Sequence, residues 1–306
     1  MNLTRLRQAW KRRIWLSILR RYHPEIEVQV GSRRMRVDLR DHVIGRNLYV
    51  AGEYEPELQR LMRNMDLSGC VCLDIGANIG VHTVAMSEFV GSSGKVFSFE
   101  PESRNYRLLE FNLRINKAAN VITRRSAVGD TERICRLMIN ANNYGDHRVW
   151  TGGPATGAFQ EVPMTTIDAS LRELPDDVVR FIKIDVQGYE CQVVRGMTVT
   201  LERNPNAIMM IEVFPDGLCA AGMSATELMQ FLHTLGLVGW ELQVDRILPV
   251  SEPWVYDLIR NGRHVDVVLS RNAERLRMAL SNMYGRPLPR NSPFEISART
   301  DRVGKI

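Results

Sequence analysis

The chain has 306 residues, 44% hydrophobic and 25% charged, with a formal net charge of +5. These proportions exclude wholesale disorder, collagen and coiled coil, and the length allows one large or two small domains with a substantial core. The charge is unevenly placed. Residues 1–22 carry seven basic residues and no acid, and residues 271–306 carry eight basic against three acidic, so the body from 23 to 270 carries −7. A basic nucleic-acid groove through that body is not supported.

In chain order, the first expected element is a basic amphipathic helix over residues 1–22. Leu3, Leu6, Trp10, Ile14 and Ile18 recur at spacings of three and four, which puts them on one helical stripe. Two readings stand for it: packing on the protein's own body or a second subunit, or peripheral contact with an anionic membrane surface. Lys11, Arg12 and Arg13 interrupt the apolar stretch and make a poor secretory signal. No segment approaches the ~20 apolar residues of a membrane span. The five cysteines, Cys70, Cys72, Cys135, Cys191 and Cys219, contain no CxxC pair. They read as buried small hydrophobes in a reducing compartment, and a cytoplasmic location is the expectation.

Residues 23–69 read as an entry segment packed on the core, 70–270 as the catalytic body and 271–306 as a basic tail, with little fixed structure from about 283. Within the body, strand and helix alternate. Strands are expected at 71–75, 96–99, 121–127, 180–186 and 207–214, and helices at 81–90, 103–116 and 226–235. Two late strands, 237–244 and 264–270, are joined by a Pro-containing loop. The polar stretch 140–160 is too long for a simple connection and reads as a functional loop. Apolar strands alternating with helices indicate a largely parallel sheet covered on both faces, a doubly wound α/β fold. Ligands bind such sheets beyond the carboxyl ends of the strands. The polar residues there are Asp74, Glu100, Ser126 to Asp130, Asp185 and Glu212.

Asp74-x-Gly76-x-x-x-Gly80 occupies a strand-to-helix junction, where glycine admits close backbone approach and the helix N-terminus offers free N–H groups. Glu100 follows the second strand, placed to accept from ribose hydroxyls. A dinucleotide would need Gly-x-Gly-x-x-Gly, but the third position from Gly76 is Asn78 and the sixth is Val81. The acid opening the loop suits a cationic ligand, and S-adenosylmethionine carries both ammonium and sulfonium charge.

Leu73-Asp-Ile-Gly-Ala-Asn-Ile-Gly80 with Thr83, Phe99-Glu-Pro101, Asn112, Ser126-Ala-Val-Gly-Asp130, Val162-Pro-Met-Thr-Thr-Ile-Asp168 and Ile182-Lys-Ile-Asp-Val-Gln-Gly-Tyr-Glu190 resemble, in order and spacing, the FkbM-type S-adenosylmethionine-dependent methyltransferases. Gly52-Glu-Tyr-Glu-Pro-Glu57 resembles that family's entry segment. Gln187 departs from the Glu that many members have. The resemblance covers roughly 40–270. It implies a class I methyltransferase (Rossmann-like) fold with a mostly parallel seven-stranded sheet and an antiparallel strand near the C-terminus. By the same resemblance Asp74, Gly76, Asn78 and Gly80, with Thr83 beside them, would line the methionine part of the cofactor. Glu100 would hold the ribose, Ser126 and Ala127 would border the adenine, and Asp185 would close the site.

Transfer to an alcohol needs alignment and removal of a proton. The candidates for catalysis are His147 as the first choice of base, Asp146 beside it, and Asp185. A metal alternative places Mg2+ between Asp185 and Glu212. His82 is either a cofactor contact or helix surface, and His23, His42, His233 and His264 show no ligand spacing. The lack of an Asn-Pro-Pro-Tyr-like segment after strand four disfavours base-nitrogen methylation by resemblance. The family resemblance points to hydroxyls of sugars, polysaccharide precursors or secondary metabolites. The rival readings are an RNA methyltransferase anchored by its basic N-terminus, a nicotinamide oxidoreductase and a non-catalytic membrane-docked module.

Overall fold

In the computed structural model, residues 15–152 and 157–288 are described. The chain opens on a helix, α1 (residues 15–22). The hairpin β1 (Glu25–Val30) and β2 (Arg33–Asp38) and the helices α2 (Ile44–Ala51) and α3 (Pro56–Arg63) follow. The body then alternates through β3 (Val71–Ile75), α4 (Val81–Val90), β4 (Lys95–Phe99), α5 (Ser103–Ile115) and β5 (Val121–Arg124). An excursion comes next: β6 (Ala127–Val128), β7 (Arg133–Ile139), β8 (Arg148–Val149), β9 (Ala158–Thr165) and α6 (Ile167–Leu171). The alternation resumes with β10 (Val179–Ile184), α7 (Glu190–Arg195), α8 (Thr198–Arg203), β11 (Ile208–Val213), α9 (Pro215–Ala220) and α10 (Ala225–Thr234). The chain closes with β12 (Val238–Leu242), β13 (Ile247–Pro249), α11 (Glu252–Asn261), β14 (Val265–Ser270) and α12 (Ala273–Tyr284).

The main sheet has the order β13-β12-β14-β11-β10-β3-β4-β5. β5, β4, β3, β10 and β11 run parallel, and β14 enters antiparallel between β11 and β12. This is the Rossmann-like order of class I methyltransferases. The sheet has eight strands where seven were expected, because the three-residue β13 folds back on β12 as an edge hairpin. The parallel strands are apolar runs because both faces are covered, and every residue of β3 is buried. Side-chain alternation divides them. Leu73 and Ile75 face a core with Val193, Leu201, Leu228 and Leu258, while Cys72 and Phe181 face one with Leu61, Met86 and Leu280. Burial pushes the Cys72 thiol up, so it stays protonated.

Two expectations are corrected, at 121–127 and in the Pro-containing loop, and two segments are filled in. The strand at 121–127 ends at Arg124, and Ala127–Val128 crosses into a second sheet of order β6-β9-β7-β8. The functional loop at 140–160 is the tip of that sheet, since β7 and β9 pair antiparallel from Arg133↔Met164 to Ile139↔Ala158. The Pro-containing loop before the last strand holds α11, in which Pro253 occupies the first turn, where a missing N–H costs nothing. The segment from 271 begins with α12, which buries Leu276, Ala279, Leu280 and Met283 in the second core.

Of the expected N-terminal stripe, Leu3, Leu6, Trp10 and Ile14 lie outside the described residues. Ile18 is 48% exposed, beside Trp15 at 56%, whereas Leu16 and Leu19 pack on the entry segment's core. Within residues 15–22 the apolar contact is thus made by Leu16 and Leu19. Among the described residues no helix is long and apolar enough to cross a membrane.

The entry segment packs on the body through Met35, Val37 and Leu48, which meet Val81, Leu108 and Leu109. Asn112 staples it. Its Oδ1 accepts from the Arg36 N–H at 2.6 Å, and its Nδ2 donates to the carbonyls of Arg36 at 3.1 Å and Ile79 at 2.8 Å. One buried amide thus joins β2, α5 and the glycine loop. Asn112→Ala strands these backbone groups, and unfolding in urea should show a loss of about 2–4 kcal/mol. A loss below about 0.5 kcal/mol would contradict the stapling role.

Candidate active site

A cavity of about 290 Å³ opens beyond the carboxyl ends of β3, β4 and β10. The loop between β3 and α4 forms its floor. Gly76 has φ +81°, and a Cβ there would stand 1.8 Å from the Asp185 carbonyl oxygen. The close packing of this loop on the end of β10 thus requires glycine. The N–H groups of Gly76 and Ala77 donate to the Phe99 carbonyl, both at 3.0 Å. Asn78 has φ +50°, and its N–H donates to Glu100 Oε2 at 2.8 Å.

Of the nine residues expected at the cofactor, Gly76, Asn78, Glu100, Ser126, Ala127 and Asp185 line the cavity. Asp74, Thr83 and Gly80 do not. Asp74 is fully buried on the sheet's inner side, where it accepts from Thr83 Oγ1 at 2.5 Å. The pair pins the start of α4 to β3. Gly80 serves helix packing, because a Cβ there would stand 2.5 Å from Leu109 Cδ1.

One end of the cavity is built around Glu100. Its oxygens accept from the N–H groups of Asn78 at 2.8 Å and Glu102 at 2.9 Å. Burial pushes its carboxyl up to about 8 against the pull of those two bonds, and the charges of Glu102 and Asp74 add to the rise. Beside it, Asn105 Oδ1 and Ser126 Oγ are buried without a hydrogen-bond partner. Such unmet polar atoms in a cavity wall fit a polar ligand. Asn105 was not singled out in the sequence, and its only signal there is a polar residue in the first turn after Glu100.

The loop carrying Tyr144, Asp146 and His147 roofs this end. Asn78 and Asn105 each donate a side-chain N–H to the Tyr144 carbonyl at 2.8 Å. His147 Nδ1 accepts from the Asn140 N–H at 3.1 Å. Burial holds the ring's pKa down, against the charges of Glu102, Asp146 and Asp41. The neutral ring therefore carries its proton on Nε2 and presents a donor. His147 Nδ1 is thus occupied in this fold, and Glu102, Asp146 and Asp41 are its charged neighbours. Asp146 is likewise committed, accepting from Asn140 Nδ2 at 2.9 Å and Arg148 Nε at 2.6 Å.

The other end is a cluster of charges. Lys183 is buried, with Nζ 3.2 Å from Asp185 Oδ2 and 4.0 Å from Asp74 Oδ1. Burial would lower its pKa, but the charges of Asp185, Asp74 and Glu55 outweigh that and raise it. Gln187, in the left-handed region at φ +58°, donates from Nε2 to Asp185 Oδ1 at 2.8 Å and to Glu212 Oε2 at 2.5 Å. Burial, then the charges of Asp185 and Glu190, holds the Glu212 carboxyl well above the usual range. Asp266, opposite Glu212 in the sheet, is pushed up to about 8 by burial and by the charges of Glu55 and Asp185. The Gln187 amide thus spans the two carboxylates considered for Mg2+ and satisfies them as a donor. Among the described residues no group of three or more His, Cys, Asp or Glu side chains is arranged to hold a metal.

Tyr54, His82 and His264 complete this end of the wall. His82 is 5% exposed, which decides between cavity and helix surface in favour of the cavity. His264 lies against Phe214, ring centroids 3.8 Å apart. Tyr54 was quoted in the sequence only as part of the entry segment, since chain distance hides its approach to β10.

The model of the methyltransferase FkbM domain matches residues 74–237, more than half of the chain. A comparison with curated proteins gave no significant match. Among solved structures, the methyltransferase FkbM from Methylobacillus flagellatus aligns at 13% identity and TM-score 0.43, over 73% of this chain and 52% of that one. The chain thus spans about half the length of that protein. A precorrin-6y C5,15-methyltransferase from Geobacter metallireducens aligns at 15% identity and TM-score 0.40, over 71% and 87% of the two chains. A SAM-dependent methyltransferase from Aquifex aeolicus aligns at 15% and 0.38, over 70% and 88%. The chain belongs to the methyltransferase FkbM domain family.

Proposed function

We propose that this enzyme methylates a hydroxyl oxygen of a sugar, a polysaccharide precursor or a secondary metabolite. The observation that carries this reading is the wall opposite Glu100, where Tyr54, His82, Gln187, Glu212 and His264 offer hydrogen-bonding groups without a surplus of positive charge. Such a wall suits an uncharged, hydroxyl-rich acceptor. The −7 charge of the body disfavours a nucleic-acid phosphate backbone.

Bound S-adenosylmethionine supplies an activated methyl carbon. Glu100 would accept from its ribose hydroxyls, with the unmet Ser126 Oγ and Asn105 Oδ1 serving the adenosine end. The carboxylate surplus at Asp185 would face the cationic end.

Two measurements test the reading. Glu100 binds hydroxyls best when ionised, so affinity for S-adenosylhomocysteine in calorimetry should rise as pH passes through about 8 and level off above it. Glu100→Gln should weaken binding by about 10- to 100-fold and remove Glu100's part of that rise. Unchanged affinity in the variant would contradict the assignment. Separately, incubation with trideuteromethyl-labelled cofactor and a pool of glycans and metabolites should give products bearing the label as a base-stable ether, detected by mass spectrometry. Label found on nitrogen, or in RNA, would contradict an oxygen acceptor.

A further inference from the structure

His82 is the second residue of α4 and lines the cavity. Its Nε2 lies 2.9 Å from Glu55 Oε2, an ion-pair distance without hydrogen-bond geometry, and both ring nitrogens are buried. Glu55 is itself held in an unusual way. It has φ 44° and ψ 62° immediately before Pro56, a left-handed conformation that costs a non-glycine residue on the order of 1–3 kcal/mol. That strain delivers the carboxylate to the histidine from the entry segment. Burial would raise the Glu55 carboxyl, but the neighbouring His82, the charge of Lys183 and Tyr54 outweigh it and lower it. Burial also raises the Tyr54 phenol well above its ordinary value, so its hydroxyl remains a donor to Glu55.

On the reading of hydroxyl methylation given above, we propose that His82 is the general base and that Glu55, steadied by Tyr54, is its positioning residue. A carboxylate against Nε2 favours the proton there and leaves the lone pair on Nδ1. Tyr54 and Glu55 interact electrostatically with Asp185 and Lys183, so the dyad belongs to the end of the cavity opposite Glu100. The other candidates are spoken for. Asp185 is bonded to Lys183 and Gln187, and the lone pair of His147 accepts from Asn140. The step balances. The acceptor oxygen bonds to the methyl carbon as the carbon–sulfur bond breaks and leaves its electron pair on sulfur. Nδ1 takes the hydroxyl proton. One positive charge passes from sulfur to the imidazole, where Glu55 stabilises it.

The test uses the full chain with 15N-labelled histidine at about pH 8, read by long-range 1H–15N spectra. The expected result is a His82 ring protonated on Nε2 in the wild type and mixed tautomers in Glu55→Ala, with Glu55→Asp restoring the wild-type form. A proton on Nδ1 in the wild type overturns the proposal, and this readout needs no acceptor. With the labelled acceptor pool, His82→Gln should lower methyl transfer by about 10²- to 10⁴-fold while S-adenosylhomocysteine affinity stays within about threefold. Retained transfer with intact binding overturns the base role. Failure of the wild-type protein to bind S-adenosylhomocysteine would overturn the function reading beneath it instead.

Discussion

The structure turns on one buried cation. Lys183 sits inside the sheet among Asp74 of β3, Asp185 at the end of β10 and Glu55 of the entry segment. A lysine at that depth is tolerable only because carboxylates surround it, and those carboxylates are tolerable only because of it. Removing one member of such a set typically costs about 3–5 kcal/mol, so each locks the others in place. The cluster also decides what the cavity attracts. Asp74, Asp185 and Glu55 outnumber the lysine, and burial raises the carboxyls of Glu212 and Asp266. What remains is a site with excess negative potential next to uncharged donors, which fits a cationic methyl donor and a polyhydroxy acceptor.

From that centre the cavity divides into two ends with different chemistry. The Glu100 end is made of backbone N–H groups, unmet side-chain atoms of Asn105 and Ser126, and a roof through Tyr144 and His147. Its unmet polar atoms fit a hydrogen-bonding ligand. The Lys183 end carries the groups able to move or accept a proton. The glycine loop separates them, and its tightness comes from protein packing. Gly76 yields to the Asp185 carbonyl and Gly80 to Leu109, so the loop glycines keep the strand ends close and the cofactor floor follows from that.

Much of this was legible in the chain. Apolar runs at β3, β4, β10 and β11 announced parallel strands because two covered faces leave no room for polar alternation. An acid at the end of each of two such strands, Glu100 and Asp185, announced the cavity. Other features were hidden for definite reasons. The β7–β9 hairpin alternates arginines with buried Cys135 and Leu137 and contains Pro163, which blurs the strand pattern. In α11 a proline that begins a helix resembled one that breaks it. The surroundings of the His147 and His82 rings were beyond sequence reasoning altogether. A histidine's task depends on which ring nitrogen is occupied, and the partners, Asn140 N–H for one and Glu55 for the other, are fixed by folding. The surroundings of Asp74 were hidden in a similar way. An acid at a strand's end reads as a ligand contact, yet alternation turns it inward to Thr83 and Lys183.

The central claim is that this one cavity holds the methyl donor with its adenosine at Glu100 and its sulfur toward Asp185 and His82. A crystal structure of the full chain with S-adenosylhomocysteine tests it most directly. The account predicts ribose hydroxyls on the Glu100 carboxylate, new partners for Ser126 Oγ and Asn105 Oδ1, and the sulfur facing the Lys183 end. The nucleoside seated elsewhere, or lying in the cavity with the two ends reversed, would contradict it.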